Sequence, residues 1–150
     1  MSRTEAAEHS LKKTTRTTRI ICIALAILDL FLGGAALFFP KLYLLFMQPG
    51  ALDDPTYLIQ RTGTVWLVFS AVQFIAFFKT PRWRAPVLVV AGFRLMEVPA
   101  DPVYLLTARG LGNMGVLGLA AAPILNLVVG TYLLLAWRKM GLVNHADFGT

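Results

Sequence analysis

The sequence predicts an all-α integral membrane protein. It is expected to be a four-helix bundle with up-down-up-down connectivity, both termini cytoplasmic, and a short outer interfacial helix after the first span. Three observations carry this. Apolar residues make up 57% of the 150 residues, above the roughly 45–50% of a water-soluble domain, and the mean hydropathy is +0.65. Four apolar runs, 20–39, 55–78, 85–106 and 112–137, approach or exceed the ~20 residues that cross a ~30 Å hydrocarbon core. The basic residues cluster before span one (Lys12, Lys13, Arg16, Arg19), between spans two and three (Lys79, Arg82, Arg84) and after span four (Arg138, Lys139). With four crossings these clusters share one side, which the positive-inside rule makes cytoplasmic. Tyr43, Tyr57 and Tyr104 then fall near the outer interface and Trp83 and Trp137 near the inner one, as amphipathic rings prefer.

Residues 1–19 are polar and include "KKTTRTTR", with little to bury, so they are expected to form a flexible basic tail against anionic lipid. A secretory signal is disfavoured because Asp29 interrupts the apolar run and that run has full-span length. Pro40 closes span one, and "KLYLLFMQPG" is too short to cross, so it is placed as the interfacial helix. Asp54 as N-cap and Pro55 at the first helical position open span two. The short connections "KTPRWRAP" and "TARGLGN" make successive spans antiparallel neighbours. Residues 140–150 read as a polar cytoplasmic tail, leaving 20–139 as the bundle.

Depth follows from the helical rise of 1.5 Å per residue. Asp29 lies nine residues after Ile20 and Arg94 nine after Ala85, so both sit about 14 Å above the inner end. Asn126 and Ser70 reach a similar level, about 16 Å and 12 Å, with Gln73 lower on span two. Residues three or four apart share a helix face. That rule places Cys22, Ala26, Asp29, Gly33 and Ala36 on one seam of span one. On span four it aligns Gly115, Gly118, Ala122, Asn126 and Gly130. Small residues in such stripes let membrane helices approach closely.

On span three, Arg94, Glu97 and Asp101 share a face. A charge at mid-bilayer costs roughly 2.5–3.5 kcal/mol on insertion scales, so these groups are expected inside the bundle. The expected cluster is Asp29, Arg94 and Glu97, with Asn126 and Ser70 adding hydrogen bonds and the arginine fork serving two carboxylates. Arg61 either pairs with Asp101 at the outer end or snorkels to headgroups. Three acids against two arginines within the spans make Glu97 the candidate proton site. Pro99 and Pro102 are expected to kink or end span three early, and Pro123 to do the same to span four. The cluster has two readings: a buried ion pair fixing helix register, or a site for a proton or ligand.

Several function classes are disfavoured. The net charge of +6 lies at membrane boundaries and does not point to nucleic acid. Cys22 has no second cysteine, so a disulfide framework or cysteine-held metal is not expected. His9 and His145 lie in the tails, leaving no histidine in the spans for haem. No nucleophile elbow, HExxH or P-loop occurs, and an enzyme would have to rely on Glu97 or Asp29 as acid or base.

Four short-loop spans, the segment "QRTGTVW" (Gln60 to Trp66) opening span two, and acidic and basic residues within the bundle together resemble the DoxX-like group of small four-span bacterial membrane proteins. The likeness covers nearly the whole chain and is architectural; no catalytic motif carries over. It implies a bacterial inner-membrane location and an accessory role beside quinone-linked redox systems. The expected function is a non-catalytic subunit of a larger membrane complex, with lipid and other subunits, or further copies of itself, as partners. The alternative is a small carrier or binding protein for a proton, quinone or amphiphile, using Asp29, Arg94 and Glu97.

Overall fold

A computed structural model describes residues 3–51 and 57–146. Five helices follow in order: α1 (Arg3–Phe38), α2 (Pro40–Met47), α3 (Leu58–Lys79), α4 (Ala85–Thr107) and α5 (Asn113–Ala146), with a 3-10 turn at Pro49–Ala51. No strand occurs among the described residues. Among the described residues, three segments are long and apolar enough to cross a membrane: Glu8–Phe38, Leu58–Lys79 and Asn113–Gly141. At 23 residues, α4 is about 35 Å long, but it carries three charged residues, Arg94, Glu97 and Asp101.

Two segments expected as tails are helical. α1 runs unbroken from Arg3, through "KKTTRTTR" and into the apolar run. Tertiary contacts supply what the local sequence lacks, as they do for most protein helices. Leu11 packs on the core, Thr18 is fully buried, Arg19 Nε donates to the Phe77 carbonyl at 2.9 Å, and Lys139 Nζ donates to Ser10 Oγ at 2.6 Å. α5 likewise continues past Lys139 to Ala146. Met140 is buried, and the Arg84 guanidinium, 5.3 Å from the Trp137 ring centroid, fills the space a Cβ at Gly141 would take. The expected Asp54 cap and Pro55 start lie outside the described residues; α3 begins at Leu58, after Tyr57 in left-handed backbone with φ 55°.

α1 packs most extensively on α3, and α4 on α5. Within the first pair the backbones touch: a Cβ at Gly33 would lie 2.8 Å from the Gly63 carbonyl oxygen, and one at Gly63 would lie 2.8 Å from that of Gly33. In the second pair, Gly130 abuts Leu95 and the Ala91 carbonyl. The two pairs meet in a shared apolar core near the termini, where Leu25 (α1), Ala76 (α3), Val87 and Val90 (α4) and Leu133 (α5) are buried. Phe69 and Phe93 stack at 4.1 Å between ring centroids and join α3 to α4 beside this core.

The opposite end is closed by a clamp between the segment after α2 and the α4–α5 loop. Gly50 N donates to the Gly110 carbonyl at 3.0 Å and Gly112 N to that of Met47 at 3.0 Å. Tyr104 Oη donates to Gln48 Oε1 at 2.6 Å, and Gln48 Nε2 to the Arg109 carbonyl at 3.3 Å. Gly110 has φ +66°, a left-handed turn, and the Gly50 backbone stands where its Cβ would be, so glycine is required twice over. Pro99 and Pro102 do not end α4, which continues to Thr107, and Pro123 lies within an unbroken α5.

Candidate functional site

The polar layer lies where the two helix pairs face each other. On α1, spacing of three and four residues sets Cys22, Ala26, Asp29, Gly33 and Ala36 along one stripe, and all five are buried. Asp29 is therefore aimed into the bundle and only 2% exposed. On α3, Ser70 and Gln73 stand one turn apart on the buried face, and on α4 Arg94 follows the buried Val90 and Ala91 by one turn.

Asp29 Oδ2 accepts from two helices at once. Gln73 Nε2 donates to it at 2.7 Å, and Arg94 Nη2 donates to the same oxygen in an ion pair. The other terminal nitrogen, Arg94 Nη1, donates to Glu97 Oε2 at 3.0 Å. The guanidinium thus bridges a carboxylate on another helix to one on its own. Glu97 is the wetter end of the chain, with its side chain 23% exposed against 6% for Arg94 and 4% for Asp29. Two buried atoms of the layer, Arg94 Nε and Gln73 Oε1, have no hydrogen-bond partner among the described residues. One is a donor and the other an acceptor, and such groups carry a desolvation cost of about 1–3 kcal/mol each.

The structure brings together Asp29, Arg94 and Glu97. Gln73, which the depth count set below the layer, is a direct partner of Asp29. Its signal was its place three residues beyond Ser70 on one face. Ser70 does not join the cluster; its Oγ donates to the Ala26 carbonyl at 2.8 Å, tying α3 to the α1 backbone. Asn126 is 5% exposed and, among the described residues, makes no hydrogen bond to Asp29, Arg94 or Glu97.

Of the two expectations for Arg61, the pair with Asp101 is not formed. Arg61 is exposed and forms no ion pair among the described residues, where both ion pairs belong to Arg94. It lies off the buried face of α3, which carries Gly63, Ser70, Gln73 and Ala76. The α5 seam is also corrected in part. Gly115 packs against the Met47 backbone and Gly130 against Leu95, and Ala122 is half-buried, but Gly118 is exposed with open space around it. Its position follows the rotation of α5, which periodicity alone leaves free.

Among the described residues no group of three His, Cys, Asp or Glu side chains is placed to hold a metal ion. The arrangement is a buried charged network of one arginine, two carboxylates and an amide. Compared with family models, curated proteins and solved structures, the chain matches none.

Proposed function

We propose that the chain is a four-span subunit of a larger complex in the bacterial inner membrane, with both termini cytoplasmic, and that it contributes helix packing and lipid contacts rather than catalysis. Its architectural likeness to the DoxX-like group makes a quinone-linked electron-transfer assembly the favoured setting. α4 takes the place of the fourth span because its central charge is turned inward: Arg94 is 5% exposed and paired across the bundle. A shielded pair of this kind lowers the cost of a charge at mid-membrane. α2, with Leu42, Leu45 and Phe46 exposed, is assigned to the outer interface.

The observation that carries the subunit reading is the outward face of α5. Gly118 has nothing near its missing side chain, and Ala121, one turn on, is exposed. Small residues are of little use against lipid and of great use against another helix, because they let backbones approach. The expected result is that the tagged protein, solubilised from native membranes, retains a protein partner, and that Gly118→Leu with Ala121→Leu releases it without altering the bundle's own thermal stability. Recovery of the wild type as a lone monomer from those membranes would overturn the reading.

A second reading is supported by the two unpartnered atoms, Arg94 Nε and Gln73 Oε1, beside a partly exposed Glu97. A donor, an acceptor and an accessible carboxylate suit a proton or a small hydrogen-bonding ligand of amphiphilic character. This carrier reading expects Glu97→Gln to abolish proton or quinone-analogue binding in reconstituted vesicles while leaving the fold intact. Unchanged binding in that variant would remove it.

A further inference from the structure

At the end of the bundle that carries the termini, α1 and the α3–α4 turn enclose an open groove of about 570 Å³. One wall presents Lys12, Arg16 and Arg19, spaced four and three residues apart on a single face of α1. Apolar residues complete the lining, Ile20 from α1 and Phe77 and Pro81 from the end of α3 and the turn after it. Among the described residues no carboxylate lines it, and neither Lys12 nor Arg16 is in an ion pair. Arg19 is different: it is held by the Phe77 carbonyl at 2.9 Å and lies 5.0 Å from the Phe77 ring centroid. It is a fixed positive wall, whereas Lys12 and Arg16 are exposed and free to turn toward a ligand.

We infer that this groove binds the phosphate headgroup of an anionic phospholipid from the cytoplasmic leaflet. Lys12 and Arg16 would contact the phosphate, and an acyl chain would run along Ile20 and Phe77. The inference rests on the membrane-spanning reading above, which sets Ile20 at the start of the hydrocarbon and Lys12 and Arg16 at headgroup level. Three observations converge on a lipid. The charges are all of one sign, as a phosphodiester requires. The apolar floor continues directly into the span, as an acyl chain requires. Ile20 is 55% exposed and Phe78, next to Phe77, is 67% exposed, so the path from the groove into the hydrocarbon is open. The continuous helix through residues 12–19 gives the three cations fixed spacing, which a flexible tail would not.

The test uses the full chain in lipid nanodiscs of neutral phosphatidylcholine, titrated with phosphatidylglycerol and read by retained lipid in native mass spectrometry. Each direct charged hydrogen bond to the phosphate is worth about a tenfold factor or more in affinity. Lys12→Gln with Arg16→Gln is therefore expected to weaken phosphatidylglycerol retention by about twentyfold or more. Lys79→Gln with Arg82→Gln removes the same charge from the same side and is expected to change it by less than about twofold. Equal losses in the two variants would overturn the site in favour of a diffuse surface attraction. Displacement of the lipid by millimolar inorganic phosphate would assign the groove to a soluble anion and equally overturn the lipid inference. Carbonate extraction of native membranes separates the two levels: a chain released by carbonate defeats the spanning reading, whereas a retained chain with equal losses defeats the groove alone.

Discussion

Arg94 on α4 and Asp29 on α1, 65 residues apart in sequence, form a buried ion pair that links the α4–α5 pair to the α1–α3 pair. Gln73 completes the junction from α3 by donating to the same carboxylate oxygen. The polar layer is thus also where the two halves of the molecule are registered.

Removing one partner strands the other charge. Asp29→Ala is expected to cost about 3–5 kcal/mol, and Asp29→Leu with Arg94→Met to recover most of that loss, because a well-packed apolar replacement of a buried pair is often close to neutral. Glu97→Gln, at the wetter end of the same arginine, is expected to cost about 1 kcal/mol or less. Reversible unfolding in mixed micelles measures all three. Equal costs for Asp29→Ala and Glu97→Gln would show that the pair across the bundle does not dominate.

The backbone contact between Gly33 and Gly63 leaves no volume for side chains. Gly33→Val or Gly63→Val is expected to destabilise the bundle by about 1–3 kcal/mol through overpacking, with loss of α1–α3 contact read by cysteine cross-linking. Gly34→Ala and Gly92→Ala serve as the contrast, since nothing lies within 4 Å of either added Cβ. Both are expected to be neutral or to stabilise by up to about 1 kcal/mol, the usual helical preference for alanine over glycine.

On α2, burial pushes the Tyr43 phenol up from 10.0 to about 12, and nearby Tyr104 adds to the rise. Its ring also lies 6.0 Å from that of Trp66. The unfolded chain ionises at this residue above its ordinary value while the folded chain keeps the proton. The stability from this group is therefore complete below pH 10 and is lost as the pH climbs toward about 12. Relative to Tyr43→Phe, the wild type is expected to lose thermal stability across that window and to run parallel below it. Parallel curves throughout would place Tyr43 in a wetter setting.

The clamp between the two loops depends on Gly110, whose φ of +66° and contact with Gly50 both exclude a side chain. Gly110→Val is expected to loosen the segment after α2, seen as faster amide exchange at Gly50 and Gly112 with the core around Leu133 unchanged. Uniform exchange across both regions would mean that the clamp unfolds only with the whole bundle.

How much was legible depended on which physical rule carried the information. Helix existence and depth follow from length, hydropathy and a constant rise per residue, so the shared level of Asp29 and Arg94 could be counted from the chain. The seam of α1 was legible for the same reason: five small or polar residues repeat at helical spacing, and all are buried. Rotation about the axis was not. Gly118 repeats at the same spacing as Gly115 but faces outward. Arg61 and Asp101 lie at similar depth, yet no ion pair joins them among the described residues.

By itself, then, the sequence determined the helices, their apolar character and the height of each polar group, because these depend on composition and local geometry along one chain. The tertiary structure decided which groups meet. Ser70 is drawn to the Ala26 carbonyl and Gln73 to Asp29. It also decided that residues 3–19 continue α1, since Arg19 and Leu11 find partners on other elements and Thr18 is buried. Those outcomes depend on how helices turn and pair in space. Such contacts are set by packing between segments far apart in sequence, which no periodicity within one segment encodes.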